Sequence, residues 1–413
     1  MFDVIIIGAG PAGFMAGITA AKAGKKTVIL EKMPETGRKL LICGKGRCNI
    51  TNVCDINEMI KNIPGNGKFL HSALRSFDNQ ALMDFFRENG LETKSERGGR
   101  VFPVTDSAKD VRALLLKVFE KSGGTLKVNI DVSEILVEDG AVNGVRLKSG
   151  SVVKGRNVVL CAGGASYPRT GSDGSGFMLA EKCGHTVTEL KPSLVPLVSD
   201  CQYLPELQGL SLRNVTATVF SDNKKITQEF GEMLFTHFGL SGPIILTLSN
   251  PAAKELSQNK KVEISIDLKP ALSEEKLDDR LKRDFEKYSR KQIKNSLGDL
   301  LPSSLIPVVL KEAGIFEDKF TNQITKAERT AFLQTLKNLR LNITKTRPIA
   351  EAIVTAGGVS IKEIDPKTMQ SKIIRGLYFA GEVIDIDGYT GGFNLQAAFS
   401  TGYAAGSHAE QGG

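Results

Sequence analysis

The chain opens on the feature that most restricts its fold: an apolar run, Asp3-Val-Ile-Ile-Ile7, leads straight into Gly8-Ala9-Gly10-Pro11-Ala12-Gly13. An unbroken apolar strand, a turn of spaced glycines and then a small-residue helix over Ala12 to Ala23 form the first half of a βαβ unit. Gly24 ends the helix and Thr27-Val-Ile-Leu30 supplies the second parallel strand, with Glu31 at its end. In such a unit the glycines bring backbone N–H groups close to a pyrophosphate at the positive helix end, and an acid about 20 residues on binds ribose hydroxyls. The expected ligand is a dinucleotide. The motif by itself does not separate NAD from FAD. The segment after Lys32 favours FAD, because Arg38, Lys39 and the glycine- and asparagine-rich run Cys43-Gly-Lys-Gly46-Arg47-Cys48-Asn49-Ile-Thr51-Asn52 form a basic loop able to wrap a long diphosphate cofactor.

Beyond this unit the texture changes twice. Asp106 to Lys121 reads as an amphipathic helix, Gly124 to Leu147 as strands broken at Asp139-Gly140 and Asn143-Gly144, and Asn157 to Cys161 as another buried strand ending in Ala162-Gly163-Gly164. From Leu194 apolar residues alternate (Val215, Ala217, Val219; Val262, Ile264, Ile266, Leu268), whereas Leu277, Leu281, Phe285 and Tyr288 recur at helical spacing, and Thr325 to Glu328 reads as a capping box. Buried-strand texture returns in Ala350 to Val359 and in Gly376 to Gly381. The expected fold is therefore α/β: a Rossmann-type domain over 1–193 and 341–413, interrupted by a β domain over 194–270 and a helical subdomain over 271–340.

With 413 residues, 41% hydrophobic and 24% charged, the chain can bury a sizeable core. Neither a membrane span nor a signal peptide is expected, which places the protein in the cytoplasm. Six cysteines without a Cys-x-x-Cys suggest reduced thiols, no metal site and no dithiol redox centre. The net charge of +8 comes from 54 basic residues interleaved with 46 acidic ones, so a solvated surface is favoured over a nucleic-acid partner. The oligomeric state is left open.

Near the end of the chain, Gly381, Glu382 and Asp385 follow a buried strand, where an acid can meet the ribityl or phosphate part of FAD. Gly391, Gly392, Phe393, Asn394 and Leu395 then start an Ala-, Ser- and Gly-rich helix whose free N–H groups can face the flavin pyrimidine and stabilise negative charge there. The small residues also suit close helix packing.

Several of these segments, in this order, carry a resemblance: Gly8 to Gly13 with Glu31-Lys32, Gly37 to Asn52, Ala162 to Gly176, Pro192 to Leu197, Gly231 to Pro243, Thr355 to Val359, Thr368 to Lys372, Gly376 to Glu382 and Gly391 to Ala398. Together they resemble the HI0933-like flavoprotein family, also called BaiN-type or aminoacetone-oxidase-like, nearly end to end. The resemblance implies a glutathione-reductase-like FAD domain and noncovalently held FAD. It implies a small hydroxyl residue at position 43, where this chain has Cys43. It places Val132 where related proteins meet adenine through the backbone, and a loop carrying His237 near the flavin. His237, Tyr167 and Tyr389 are the candidate proton donors. The expected activity is reduction of a conjugated enone, on a 3-oxo bile-acid- or steroid-like small molecule, through flavin N5 and with NADH or NADPH as a transient donor, since no second strand–GxGxxG–helix unit exists. The alternatives are a flavin oxidase of a small aminoketone and, in another class, an RNA-directed flavoprotein or a non-catalytic FAD protein.

Overall fold

A computed structural model describes residues 1–409, which divide into two units: 1–193 with 349–409, and Leu194–Pro348 between them in the chain. In the first unit Phe2–Ile7 pairs in parallel with Thr27–Leu30 on one side and with Val152–Leu160 on the other. Thr125–Lys127 extends the sheet beyond Thr27–Leu30, and Leu377–Phe379, from the far end of the chain, adds in parallel beside Val158 to Leu160. Five parallel strands covered on both faces need continuous apolar runs, and Val4, Ile5, Ile6, Val28, Ile29, Val158 and Val159 are all fully buried.

Two helices cover the end of this sheet where the site lies. Pro11–Lys22 follows the glycine turn, and Phe393–His408 crosses it so closely that a Cβ on Gly402 would stand 2.3 Å from the carbonyl oxygen of Ala12 and one on Gly406 2.4 Å from that of Ala16. The small residues of the last helix are thus a packing device: only a bare Cα admits the facing backbone. The amphipathic helix forms over Ala108–Lys121, with the Ser107 side chain capping Asp110 N–H. Asp139 and Gly140, both at positive φ, make the tight turn between Val132–Glu138 and Ala141–Leu147. The break expected at Asn143-Gly144 is not one. Gly144 sits inside the second of these strands, where a Cβ would meet Val153 O at 2.4 Å.

The second unit is a closed six-stranded barrel in the order Leu197–Ser199, Gly239–Ser241, Lys224–Thr236, Ser211–Ser221, Val262–Asp267 and Leu339–Thr346, the last pairing back with the first. Val215, Ala217, Val219, Val262, Ile264 and Ile266 fill its interior. This corrects the domain reading at two points. Leu277, Leu281 and Phe285 of helix Glu274–Lys287, together with Phe332 and Leu336 of helix Lys326–Lys337, belong to one core with the barrel strands, so 194–270 and 271–340 are not separate bodies. The unit also ends at Pro348 rather than Arg340: Leu339, Leu341 and Ile343 alternate inward and complete the barrel. That period-two signal is short and follows directly on a helix, which hid it. The segment expected as a strand over Ala350 to Val359 is strand only at Val354–Ala356, paired with Lys191–Ser193. Among the described residues no helix is long and apolar enough to cross a membrane, and no group of His, Cys, Asp and Glu is placed to hold a metal ion.

Candidate cofactor site

The site is assembled where the sheet strands of the first unit end. Gly8 (φ 102°) bends the chain against the neighbouring strand; a Cβ there would lie 2.6 Å from Cys161 O. Gly13 lets the helix return onto the turn, since its Cβ would fall 1.9 Å from Gly8 O. Gly10 differs from both. Its φ is an ordinary −85° and a Cβ would meet nothing within 4 Å, so no protein atom demands glycine there. As the N-cap of Pro11–Lys22, with no side chain capping it, Gly10 faces open space beside unsatisfied N–H groups, the cradle into which a pyrophosphate fits.

Glu31 is 9% exposed, and its carboxylate accepts hydrogen bonds from Ala9 N–H and Met33 N–H, both 2.8 Å. The strand end and the glycine turn are thereby locked together, while the oxygens retain further acceptor capacity for ribose hydroxyls. Ile130 N–H bonds Glu31 O and Asn129 N–H bonds Met33 O, which lays the chain leading into Val132 alongside the end of the Thr27–Leu30 strand at Glu31. Lys32 points elsewhere, to Asp173 at 2.5 Å and Ser175 at 2.9 Å.

Residues from opposite ends of the chain meet in one network. Lys39, on the short helix Arg38–Ile42, reaches Glu382 Oε2 at 2.7 Å, Glu382 Oε1 at 2.9 Å and Ser166 Oγ at 2.6 Å. Glu382 Oε1 also accepts from Thr355 N–H at 2.9 Å and Ser166 Oγ at 3.1 Å. Gly164 is glycine because its Cβ would strike Thr355 Oγ1 at 2.4 Å and Glu382 Oε1 at 2.9 Å; Ala162 and Gly163 lie immediately before it, and Gly163 (φ 72°) backs onto Ser172. Gly381 N–H donates to Thr401 Oγ1, tying the strand end to the last helix, and Asp385 holds Asn66 through its carbonyl.

A second network seats the N-terminus of Phe393–His408. Asn49, with its amide nitrogen toward the carbonyls of Thr51 (3.1 Å) and Val101 (3.2 Å), accepts Gly392 N–H on its oxygen at 2.9 Å. Asn52 Nδ2 donates to Gly391 O and Gly98 O, and Thr51 Oγ1 to Gln396 Oε1 at 2.6 Å. Gly392 (φ 98°) has no alternative, for a Cβ would sit 2.3 Å from Thr51 O. No side chain caps the helix it begins. Asn394 turns back to clasp Gly388 through both amide atoms, 2.7 Å each, while Phe393 is buried and Leu395 half-buried.

Other expected site residues have structural partners. Arg47 pairs with Glu96 and with Asp106 at 2.8 Å, over the ring of Phe102, so its charge is committed within the protein. Gly46 (φ 85°) and Cys48 (φ 64°, fully buried) shape the same loop. Tyr167, also left-handed at φ 53°, adjoins Ser166, and burial, with Glu351 nearby, pushes its phenol above the usual value. Tyr389 packs against the apolar core, and its N–H bonds Asn62 O. His237 belongs to the second unit, exposed in the turn after Lys224–Thr236 and edge-on to Phe238. Thr51 and Asn52 belong to the loop expected to wrap the cofactor, whereas Ser166, Thr355, Gln396 and Thr401 are not singled out as site residues by the sequence. They are small polar residues whose only signal is adjacency to a glycine motif.

The HI0933-like protein Rossmann domain family matches residues 2–408. The chain is 30% identical over 409 residues to a 3-dehydro-bile acid delta(4,6)-reductase of Clostridium scindens, covering 98% of each. It is 31% identical over 404 residues to a ribosomal RNA dihydrouridine synthase of Escherichia coli, covering 98% of this chain and 96% of that one. Among solved structures it shares its fold with a 3-ketosteroid-delta4-(5alpha)-dehydrogenase of Rhodococcus jostii (TM-score 0.53, 16% identity, 99% and 97% coverage). The chain belongs to the HI0933-like family.

Proposed function

We propose that this flavin-dependent oxidoreductase reduces a carbon–carbon double bond conjugated to a carbonyl. One observation carries the reading: two relatives matched end to end, at 30% and 31% identity, bear names that differ in molecule and agree in chemistry. A 4,6-unsaturated 3-oxo bile acid and the C5=C6 bond of uridine are both polarised by a neighbouring carbonyl, so both take hydride at the remote carbon and a proton beside the carbonyl. FAD, bound without a covalent link, supplies the hydride transfer, and NADH or NADPH replenishes it.

The chain's own residues divide the remaining work. Gly10 and the uncapped N-terminus of Pro11–Lys22 take the pyrophosphate, and Glu31 takes the ribose. Lys39 and Ser166 hold the Glu382 carboxylate in one orientation beside the cofactor. The free N–H groups after Gly392 present positive potential to the pyrimidine edge. Tyr167 is the proton donor this reading favours because it adjoins the Lys39–Glu382 cluster through Ser166 and a phenol is protonated at neutral pH; burial, which raises its pKa, makes it a weaker acid that must be lowered by the bound substrate or cofactor.

Two substrates fit. The small 3-oxo enone follows the Clostridium relative; a uridine of ribosomal RNA is the second reading, favoured by the net charge of +8, which attracts a polyanion. The signs of that charge are interleaved along the chain, and the weight it carries comes from relatives named for ribosomal RNA. The test is anaerobic bleaching of the purified yellow protein by NADH or NADPH, followed by addition of a 3-oxo-4,6-diene bile acid or of unmodified ribosomal RNA. Colour returning with a saturated steroid or with dihydrouridine identifies the substrate. Bleaching by aminoacetone and recovery with oxygen, with neither nicotinamide acting, replaces this reading with the oxidase. Tyr167→Phe should lower turnover about 10²-fold while the rate of flavin bleaching by the nicotinamide stays the same.

A further inference from the structure

Cys43 and Cys48 bracket the tightest part of the cofactor loop. Between them Gly44 (φ 58°), Lys45 (φ 59°) and Gly46 (φ 85°) are left-handed, and Cys48 itself is at φ 64°. Left-handed backbone disfavours side chains, yet two of these four residues carry one. The consequence is that a five-residue step curls back on itself: Cys48 N–H donates to Cys43 O at 3.0 Å, and the two thiols are near enough for each to shift the other. Both sulfurs are free. The spacing is not Cys-x-x-Cys, so sequence alone gives no reason to pair them.

The pair is asymmetric. Cys43 is part-exposed, whereas Cys48 is fully buried in the apolar core. The neighbouring Cys48 lowers the Cys43 thiol, with help from Asn49 N–H and Lys39 against the opposing effect of burial; the neighbouring Cys43 and complete burial raise Cys48 well above the usual range. A part-exposed residue whose thiol is lowered, backed by a fully buried one whose thiol is raised, is the asymmetry of an attacking and a resolving cysteine.

We propose that Cys43 and Cys48 are a reversible disulfide site by which hydroperoxides weaken the hold of this protein on its flavin. The Cys43 thiolate attacks the distal oxygen of a hydroperoxide, breaking the O–O bond to give a sulfenic acid and an alcohol. The Cys48 sulfur then attacks the Cys43 sulfur and expels water. Two thiols and one hydroperoxide thus become one disulfide, one alcohol and one water. A small dithiol reverses the reaction by exchange, leaving both cysteines as thiols and itself as a cyclic disulfide.

The effect on the cofactor follows from which sulfur can move. Bonding shortens the contact to about 2.05 Å. Cys48 is fixed by the core, so Cys43 yields and draws on the end of helix Arg38–Ile42, which carries Lys39 to Glu382 and Ser166. Asn49, which holds Gly392 N–H, directly follows the new bond. Both networks of the cofactor site are therefore strained from one point.

The test uses the FAD-loaded protein, treated with hydrogen peroxide, alkylated and digested without reduction. Trypsin cuts after Lys45 and Arg47, between the two cysteines, so the disulfide appears as a cross-linked pair of peptides, one with Cys43 and the other with Cys48 and Cys54. The cross-link is expected in wild type, absent in Cys43→Ser and in Cys48→Ala, and removed by dithiothreitol. FAD release, followed by the rise in flavin fluorescence, should quicken at least about fivefold on oxidation of wild type and not on oxidation of Cys43→Ser, that change in rate being about 1 kcal/mol. Peroxide that drives Cys43 only to a sulfinic acid, a cross-link that survives in Cys48→Ala and so runs to Cys54, or a Cys43–Cys48 bond that leaves the release rate unchanged would each overturn the proposal.

Discussion

Two helices of the first unit begin in the same way and for different reasons. Pro11–Lys22 and Phe393–His408 each start from a glycine N-cap without a side-chain cap, and each leaves its first N–H groups free. At Gly392 the glycine is forced by the protein: φ is 98° and Thr51 O would lie 2.3 Å from a Cβ. Gly10 meets no such demand, with φ at −85° and open space around the missing Cβ. One glycine is held by the fold and the other is left free for a ligand. The contrast separates residues that shape the site from those that touch the cofactor, which a glycine-rich motif alone cannot do.

Substitutions turn the contrast into measurements. Gly13→Ala should do the most damage, because its Cβ would overlap Gly8 O at 1.9 Å and neither backbone can retreat without opening the sheet and helix together. A loss above about 4 kcal/mol is expected, seen as insoluble or molten protein by near-ultraviolet circular dichroism. Gly392→Ala comes next, at about 2 to 4 kcal/mol, for it combines a positive φ with a backbone collision. Its apo protein should melt well below wild type. If apo Gly392→Ala kept wild-type stability, Gly392 would be a ligand residue like Gly10 and the distinction would collapse.

The same contrast explains what the sequence could disclose. Gly8 to Gly13, Glu31 and the returning Gly381 and Gly391-Gly392 are legible because backbone crowding and strand endings restrict residue type, and such restrictions are local. The partners that complete the site are not local. Lys39 finds Glu382 across 343 positions, and Thr51 finds Gln396 across 345. Arg47 shows the converse error: a cation in a basic loop resembles a phosphate ligand until Glu96 and Asp106 are seen to hold it. The end of the second unit failed for a related reason, since Leu339 to Ile343 alternates for only five residues and its two partner strands lie far off in the chain. Periodicity reveals what a segment buries, and it is silent about where the segment docks.

Gly10→Ala is the decisive member of the series. The added methyl enters empty space at an ordinary φ, so the apo protein should keep its melting temperature, within about 0.5 kcal/mol of wild type or slightly above it. FAD should nonetheless bind at least about tenfold more weakly, because the methyl occupies the surface against which the pyrophosphate packs. Titration of apo protein by flavin fluorescence, beside thermal melting without FAD, reads both quantities from one preparation. Unchanged affinity would show that the open space at Gly10 is not the cofactor's.

The smallest effect concerns acid, and it tests whether the two N-termini are as indifferent to pH as their uncapped glycines imply. Neither has a titratable cap, so acid sensitivity of the first unit must arise at other groups, and His185 is placed to supply it near neutral pH. Its ring lies between Glu363 (3.2 Å) and Ser371 (2.8 Å), beside the ring of Phe379. The three side chains resemble a hydrolytic triad, but Ser371 Oγ is 7% exposed at the residue level and already accepts from Ile373 and Ile374 N–H, which makes it a turn-holder. Burial lowers the His185 pKa despite the opposing pull of Glu363. The folded protein therefore binds this proton less readily than the unfolded chain, and the stabilisation present above the ordinary pKa of about 6.5 is lost as pH falls below it. Glu363 acts in the same direction at lower pH: hydrogen bonds from Thr186 and the contact with His185 outweigh its burial and lower its pKa, so its contribution fades below about 4.5. Melting of the apo protein should thus fall between pH 7 and 5, and His185→Gln, which retains a side-chain hydrogen-bonding group without the titration, should flatten that fall while Gly10→Ala leaves it intact. A His185→Gln curve as steep as wild type would move the acid-sensitive group to another site and leave His185 a packing residue alone.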